Sequence, residues 1–355
     1  MTPFVPGDRP EFREIAFQKE AGVATVTFRR PEAHNAYTTN TLAELIEAFK
    51  LAAWDDSVGV IVLTGSGTRA FCTGGDVREY QSTYTKRPHD YWKYMNLFRG
   101  YIEGILDCGK PVIARLNGMA VGGGNESHLA CDLSVIAEHA WVGQVGVGVG
   151  SVACGGATQW LPLFVGDRRA RQMLLLNERI PAKQALEWGL VTKVVSSVRR
   201  GDAWVEGPTT EQVDLAQKGQ DGYRIDLSLL DAAVADMARQ VLDKFPECTR
   251  YTKEQTNFWK SFSWHQTVGH AREWLALHFA NVEPYEGMTA FAEKRKPRVR
   301  EMREAAAQGG APEFLWGPYG RACGACGAKG LPEAFKFCGV CGASLGGPIA
   351  GGGKA

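Results

Sequence analysis

The sequence predicts an α/β domain with a small cysteine module at its far end, and three observations carry that reading. Short apolar, β-branched runs alternate with segments of helical periodicity, and glycine-rich turns follow the apolar runs at three places. Four cysteines form two Cys-x-x-Cys pairs, Cys323/Cys326 and Cys338/Cys341, eleven residues apart. The 355 residues are 45% apolar and 22% charged, enough to bury a sizeable core. Forty basic against thirty-nine acidic residues leave a formal charge of +1. So balanced a chain has no field for nucleic acid or an anionic membrane, and the expected partner is a small molecule or another protein. No run reaches the roughly 20 apolar residues of a membrane span, and the opening MTPFVPGDRPEF lacks the order of a signal peptide, so a cytoplasmic protein is expected. Cys72, Cys108, Cys131, Cys154 and Cys248 are scattered singly, which reads as reduced thiols and not as a disulfide framework.

The elements follow in order. Alternation over 12–18 and 23–28 about a break at 20–22 predicts an opening β-hairpin. Leu42, Leu45, Ile46, Phe49 and Leu51 recur at helical spacing, predicting an amphipathic helix over 39–53. A buried strand at 60–63 ends in Gly65-Ser66-Gly67, ahead of Phe71-Cys72-Thr73-Gly74-Gly75-Asp76. A helix over about 88–106 leads to a second buried strand, 111–116, and the loop Asn117 to Glu126 with Gly122-Gly123-Gly124 inside it. A third strand, 133–137, enters the glycine-rich stretch 142–156, and helices follow to about Trp188. Residues 196–224, rich in glycine and charge, read as an insertion or long loop; helices resume over 227–279 and 298–308, and a Gly/Pro-rich linker spans 309–320.

Glycine permits the close backbone approach by which an N–H can stabilise a developing oxyanion, and two such loops at the ends of neighbouring strands can aim two donors at one point. A single run of this kind is more readily a tight strand-to-helix turn; three at this spacing weaken that reading. These loops also carry a resemblance. Arg30-Pro31 to His34-Asn35-Ala36, Ala70 to Asp76, Lys110 to Asn117-Gly118, Gly122 to Glu126, Gly189-Leu190-Val191 and Glu286 to Pro297 together resemble, in order, the crotonase (enoyl-CoA hydratase/isomerase) superfamily. The resemblance implies a spiral of ββα turns, a homotrimer or homohexamer, and an acyl-CoA substrate. With the composition breaks and cysteine spacing above, it divides the chain into a spiral core over 10–198, an insertion loop over 199–226, a helical trimerisation region over 227–308, the linker over 309–320, a cysteine module over 321–345 and a flexible tail over 346–355. It further implies that the thioester oxygen is held by the backbone N–H groups of Cys72 and Gly123, and that His34, Ala36, Phe291 and Lys294 hold coenzyme A.

Hydratases of the superfamily use two carboxylates. Here the first is Glu126, while the place of the second, after Gln144, is taken by Gly146. A glycine there also occurs in members that make or break carbon–carbon bonds, some of which seat bicarbonate, so Gln144 and Gly146 are candidate substrate or bicarbonate contacts. Tyr37-Thr38-Thr39, 150–158, Ile225 to Asp231 and Phe245 to Cys248 are similar to the ring-opening branch, the 6-oxocyclohex-1-ene-1-carbonyl-CoA hydrolases. The expected chemistry is therefore attack by a water activated by Glu126, or by bicarbonate near Gln144 and Gly146, on a ring ketone β to the thioester, with the bond electrons passing into the enolate. Glu126 in an apolar pocket would have its pKa raised toward neutrality. Tyr80 and Tyr84 are candidate substrate contacts. Enoyl-CoA hydration or isomerisation, and an impaired crotonase-fold scaffold recruiting a protein partner, are the alternatives.

In the module, two thiolate pairs on tight knuckles can close a tetrahedron about Zn²⁺ with no open position, which makes Cys323, Cys326, Cys338 and Cys341 structural metal ligands, with iron as the other candidate. So short a segment has little core, and metal binding supplies its folding free energy. The segment resembles a zinc ribbon, which implies a docking role.

Overall fold

The strand Val60–Gly65 is buried at every position because both faces of its sheet are covered. In the computed structural model, which describes residues 11–308, 321–329, 331–332 and 335–346, it is third in a six-stranded sheet. The order is Ile15–Glu20, Val23–Phe28, Val60–Gly65, Val112–Leu116, Leu133–Ala137 and Lys193–Val195. The first two strands form the expected antiparallel hairpin, turning at Ala21 and Gly22, both at positive φ; every later pairing is parallel. Alternate side chains part to opposite faces. Ile61, Leu63 and Ala114 enter the main core, while Val60, Val62, Ile113 and Val135 pack beneath the helix Ser228–Leu242.

Short turns at 66–69, 117–118 and 138–140 carry the chain from this sheet into a second one. There Ala70–Cys72, Met119–Val121 and Trp141–Gly143 run parallel, with Arg179–Pro181 antiparallel at the edge. Long strand, short strand and helix thus recur, the ββα spiral that the resemblance implies. Two buried asparagines tie the layers. Asn117 donates to Gly67 O and Ala70 O at 2.9 and 3.0 Å and accepts from Gly65 N–H at 3.0 Å; Asn35 donates to Ser66 O and Ala70 O. The helix Pro88–Asp107, begun by a proline whose missing N–H costs nothing there, lays Tyr91, Tyr94, Met95, Phe98, Tyr101 and Ile102 into the core against the helices Thr39–Trp54 and Phe258–His278.

Two sequence expectations change. The segment expected as a loop over 199–226 is folded: Val198–Arg200, Ala203–Trp204 and Tyr223–Ile225 make a three-stranded sheet covered by the helix Thr210–Lys218. Val198, Val213, Leu215, Ala216, Tyr223 and Ile225 supply a core of its own, Thr209 and Gln212 cap the helix reciprocally, and Gln217 donates to Thr68 O at 3.1 Å. Its high glycine and charge content masked that pattern. The helix Ser228–Leu242, assigned to the C-terminal helical region, belongs energetically to the core, since it is the cover of the outer sheet face. The linker 309–320 and tail residues 347–355 lie outside the described residues. In the module, Arg321 pairs with Leu331 and Phe337 with Ser344.

Candidate active site

A cavity of about 90 Å³ opens where the ends of Ala70–Cys72 and Met119–Val121 lie side by side. Thr73, Gly74 and Gly75 line one wall, Gly122 and Gly123 the next, and Glu126, Gln144 and Gly146 the floor. The backbone of Tyr37 fixes the first wall: its N–H donates to Gly74 O and its carbonyl accepts from Asp76 N–H, both at 2.9 Å. The pairing leaves the Gly75 N–H on the side away from Tyr37, and it makes no hydrogen bond among the described residues. Asp76 completes the loop by accepting from Arg78 N–H at 2.9 Å and from the Arg30 guanidinium at 3.0 Å.

The second wall ends in the helix Gly123–Ala130. Gly123 is its first residue, so its N–H has no partner within the helix. Gly122 stands at φ 55° and Gly74 at 85°, conformations that a side chain would strain. A Cβ on Gly74 would lie 2.9 Å from Gly123 N, which measures how closely the two loops approach. Two unpaired amides on adjoining loops form a site able to hold an oxyanion.

Cys72, expected to supply one of those amides, does not reach the cavity. It is fully buried in its strand, its carbonyl beneath Gly124, where an added Cβ would meet Cys72 O at 2.0 Å. Burial pushes its thiol up to about 12. The strand's last pairing is at Cys72, and on the loop beyond it the N–H that the Tyr37 pairing leaves free is that of Gly75, three positions on.

Glu126 projects from the first turn of the Gly123–Ala130 helix and is the sole carboxylate among the described residues that line the cavity. Burial raises its pKa to about 7 against the opposing effect of N–H donors from Ala157 and Gly155, at 3.2 and 2.6 Å. Gln144 lines the floor and donates to Gly122 O at 3.2 Å. Gly146 also borders a second cavity of about 260 Å³ reaching Pro162, Leu174 and Leu175, and a Cβ on it would lie 3.1 Å from Ser151 O.

The roof is aromatic. Tyr80 lines the cavity, its hydroxyl 2.5 Å from that of Tyr94; Tyr84 does not, being turned to Thr39 and packed against Tyr80, Tyr91 and Tyr94. Both tyrosines lie in a five-residue π-helical turn, Tyr80–Tyr84, a form frequent beside functional sites. His34 and Ala36 lie outside the cavity, with Thr73 on its wall donating to His34 O at 3.3 Å. Phe291 and Lys294 are exposed at the end of the helix Val282–Ala292 and do not line it in this chain. Sequence reasoning gave no site role to Tyr37, Tyr91, Tyr94, Met95, Phe98 or Cys154, which line it too. On the helix Pro88–Asp107 the spacing 91, 94, 95, 98 is that of any core face, so no sequence signal separates the two uses.

The four module cysteines are unbonded thiols whose sulfurs lie within 4.8 Å of one another. Cys323 and Cys341 are 3.6 Å apart and Cys326 and Cys338 3.7 Å. A tetrahedron with Zn–S bonds of about 2.3 Å has edges of about 3.8 Å, whereas a disulfide needs about 2.05 Å, so the set fits a metal ion. Backbone N–H donors from Cys326 and Ala325 lower the Cys323 thiol to about 6, toward the thiolate a metal requires.

Comparison with known proteins gives the following. Residues 18–220 match the family described as enoyl-CoA hydratase/isomerase. A Geobacter metallireducens protein named 6-oxocyclohex-1-ene-1-carbonyl-CoA hydrolase is 37% identical over 299 residues, 79% of this chain and 78% of that protein. One of the same name from Thauera aromatica is 34% identical, over 80% of this chain and 82% of its own length. Among solved structures, an enoyl-CoA hydratase from Mycobacterium avium subsp. paratuberculosis superimposes with a TM-score of 0.66 at 25% identity, covering 81% of this chain and 99% of that one.

Proposed function

This chain belongs to the enoyl-CoA hydratase/isomerase family, and from that premise we propose that it opens the ring of a cyclic β-keto acyl-CoA by hydrolytic carbon–carbon cleavage. It is an enzyme, with a CoA thioester as substrate. The observation that carries the reading is the buried carboxylate Glu126, its pKa near 7, lining one cavity with two unpaired loop amides and, among the described residues, with no second carboxylate.

The substrate naming the relatives has a double bond between the α- and β-carbons of the thioester and a ketone on the other neighbour of the α-carbon. While the double bond stands, the α-carbon cannot accept the cleavage electrons as an enolate. One water therefore adds to the β-carbon first, which is the family's hydration. A second attacks the ketone, passing a proton to Glu126. The bond from the ketone carbon to the α-carbon breaks, its pair enters the thioester enolate held by the Gly75 and Gly123 amides, and Glu126 returns the proton to the α-carbon. A carboxylic acid remains where the ketone stood. Each enolate uses the same two donors, and one such donor is commonly worth about 3–4 kcal/mol at the barrier. A group near pKa 7 can take and return a proton at neutral pH.

Coenzyme A contacts from His34 and Ala36, with Phe291 and Lys294 contributed by a neighbouring copy, belong to this reading; so do a homotrimer or homohexamer and a cytoplasmic location. Among the described residues no helix is long and apolar enough to cross a membrane. Zinc held by the four module cysteines serves as a structural ion, and the ribbon so folded is a docking element for a protein partner. Bicarbonate beside Gln144 and Gly146 is the candidate co-base, tested by a bicarbonate dependence of the rate.

The test incubates the protein with 6-oxocyclohex-1-ene-1-carbonyl-CoA, 2-oxocyclohexane-1-carbonyl-CoA and crotonyl-CoA and follows products by mass. Gain of two waters on the first and one on the second is expected. Gain of one water on the first and on crotonyl-CoA, with no change in the second, makes it a hydratase. No turnover of any leaves the scaffold.

A further inference from the structure

Ring opening creates two oxyanions, and the two loop amides serve only one. Attack on the ring ketone turns that oxygen into an alkoxide before the enolate forms on the thioester oxygen, and in a β-keto thioester the two oxygens lie on carbons separated by one atom. The alkoxide needs its own hydrogen-bond donor, close to the amide pair yet distinct from it.

We propose that the Tyr37 hydroxyl is that donor, a catalytic group that binds the ring-ketone oxygen and selects β-keto acyl groups over simple enoyl ones; the proposal rests on the ring-opening reading above. Four observations place it. Tyr37 is 2% exposed and lines the cavity with Glu126, Gly75 and Gly123. Its hydroxyl stands where a side chain of Gly123 would begin, 1.8 Å from the ideal Cβ position, so it lies against the first residue of the donor helix. The hydroxyl has no hydrogen-bond partner among the described residues, unlike that of Tyr80, which is engaged by Tyr94. Stacking of the ring on Phe98, with centroids 5.5 Å apart and planes 18° apart, fixes its direction.

The same residue grips the first donor loop through its backbone, since its N–H and carbonyl bind Gly74 and Asp76. One residue thus ties the Gly75 amide to a hydroxyl beside Gly123, so the two oxyanion sites keep a fixed separation. Burial holds the phenol well above its ordinary pKa, so it keeps the proton it must donate. In the step, the water oxygen bonds to the ketone carbon, its proton passes to Glu126, and the carbonyl π pair moves to the ketone oxygen, which the Tyr37 O–H holds by a hydrogen bond. When that oxygen reforms its double bond, the carbon–carbon pair leaves to the α-carbon. No oxidant or reductant takes part.

Tyr37→Phe keeps the stacked ring and the backbone grip and removes only the hydroxyl. Two rates are read on the full-length enzyme: ring opening of 2-oxocyclohexane-1-carbonyl-CoA, and exchange of the α-hydrogen of cyclohexanecarbonyl-CoA in deuterium oxide, which forms the thioester enolate without any ketone. Loss of one oxyanion donor costs about 10²–10³ in kcat. Ring opening is expected to fall about that much, with KM little moved, and at least tenfold more than exchange. Equal losses in both overturn the proposal and make Tyr37 a support for the amide loops; undiminished ring opening overturns it outright. Exchange in the variant also reports an intact fold, so a misfolded protein, losing both rates, counts with the equal-loss result unless Tyr37→3-fluorotyrosine, which keeps the shape, restores exchange and leaves ring opening changed. If the wild-type enzyme exchanges hydrogen but does not open the ring, the ring-opening reading falls, and the Tyr37 assignment with it.

Discussion

Replacing Glu126 by glutamine separates stability from catalysis in a pH-dependent way. The carboxyl has an ordinary pKa of 4.5 in the unfolded chain and about 7 in the fold, raised chiefly by burial. The native state therefore holds its proton more tightly than the unfolded state does. The group's contribution to stability is full below about pH 4.5, declines as pH rises through the window, and is lost above about pH 7. Each pH unit in that window weakens the fold by about 1.4 kcal/mol, about 3 kcal/mol in all. Glutamine is neutral throughout, and its carbonyl can still accept from the Gly155 and Ala157 N–H groups. The Glu126→Gln protein should thus match the wild type in urea unfolding at pH 4.5 and exceed it by about 3 kcal/mol at pH 8. Its ring-opening kcat should fall about 10²–10⁴-fold, the usual weight of a positioned acid–base group. In the wild type kcat/KM should rise with pH through about 7, because the first act of Glu126 is to accept a proton. Equal stability differences at both pH values, or full activity in the variant, would falsify the assignment of a buried, titrating base.

Three further outcomes are expected. Cys72→Ala should keep kcat within about threefold while losing about 1 kcal/mol in urea unfolding, and iodoacetamide should leave the wild-type thiol intact, since Cys72 is fully buried with its pKa pushed up to about 12. Gly124→Ala places a Cβ 2.0 Å from a backbone carbonyl that cannot swing aside, so the variant should lose at least about 1–3 kcal/mol and have a lower unfolding temperature. Cys338→Ser should cut bound metal, measured by elemental analysis of the full chain, and expose the remaining module thiols to Ellman's reagent while ring opening stays at its wild-type rate.

What was legible before the fold was known, and what was not, follows from the range of the interactions concerned. Apolar periodicity placed the hairpin, the helices Thr39–Trp54 and Pro88–Asp107 and the strands Val60–Gly65 and Leu133–Ala137, because those patterns are set by local sequence against one buried face. For the same reason the paired cysteine spacing pointed to the four thiols that the fold gathers, since its two halves are short knuckles. Glu126, within a motif of consecutive residues, was also readable.

Tertiary structure alone decided the rest. Whether the first amide donor is Cys72 or Gly75 depends on where the strand's pairing stops and on which side of Gly75 Tyr37 binds, and neither is encoded in a window of neighbouring residues. Tyr37 enters the cavity because the chain before the helix Thr39–Trp54 is drawn alongside a loop nearly forty residues later, and Tyr91 and Phe98 because a core-facing helix stripe meets a cavity there and not a solid wall. The folded insertion over 198–225 emerged for a similar reason: its few apolar side chains become a core only once three short strands bring them together. Local pattern fixes which residues are buried or turned; the convergence of distant segments determines which of them share one reacting volume.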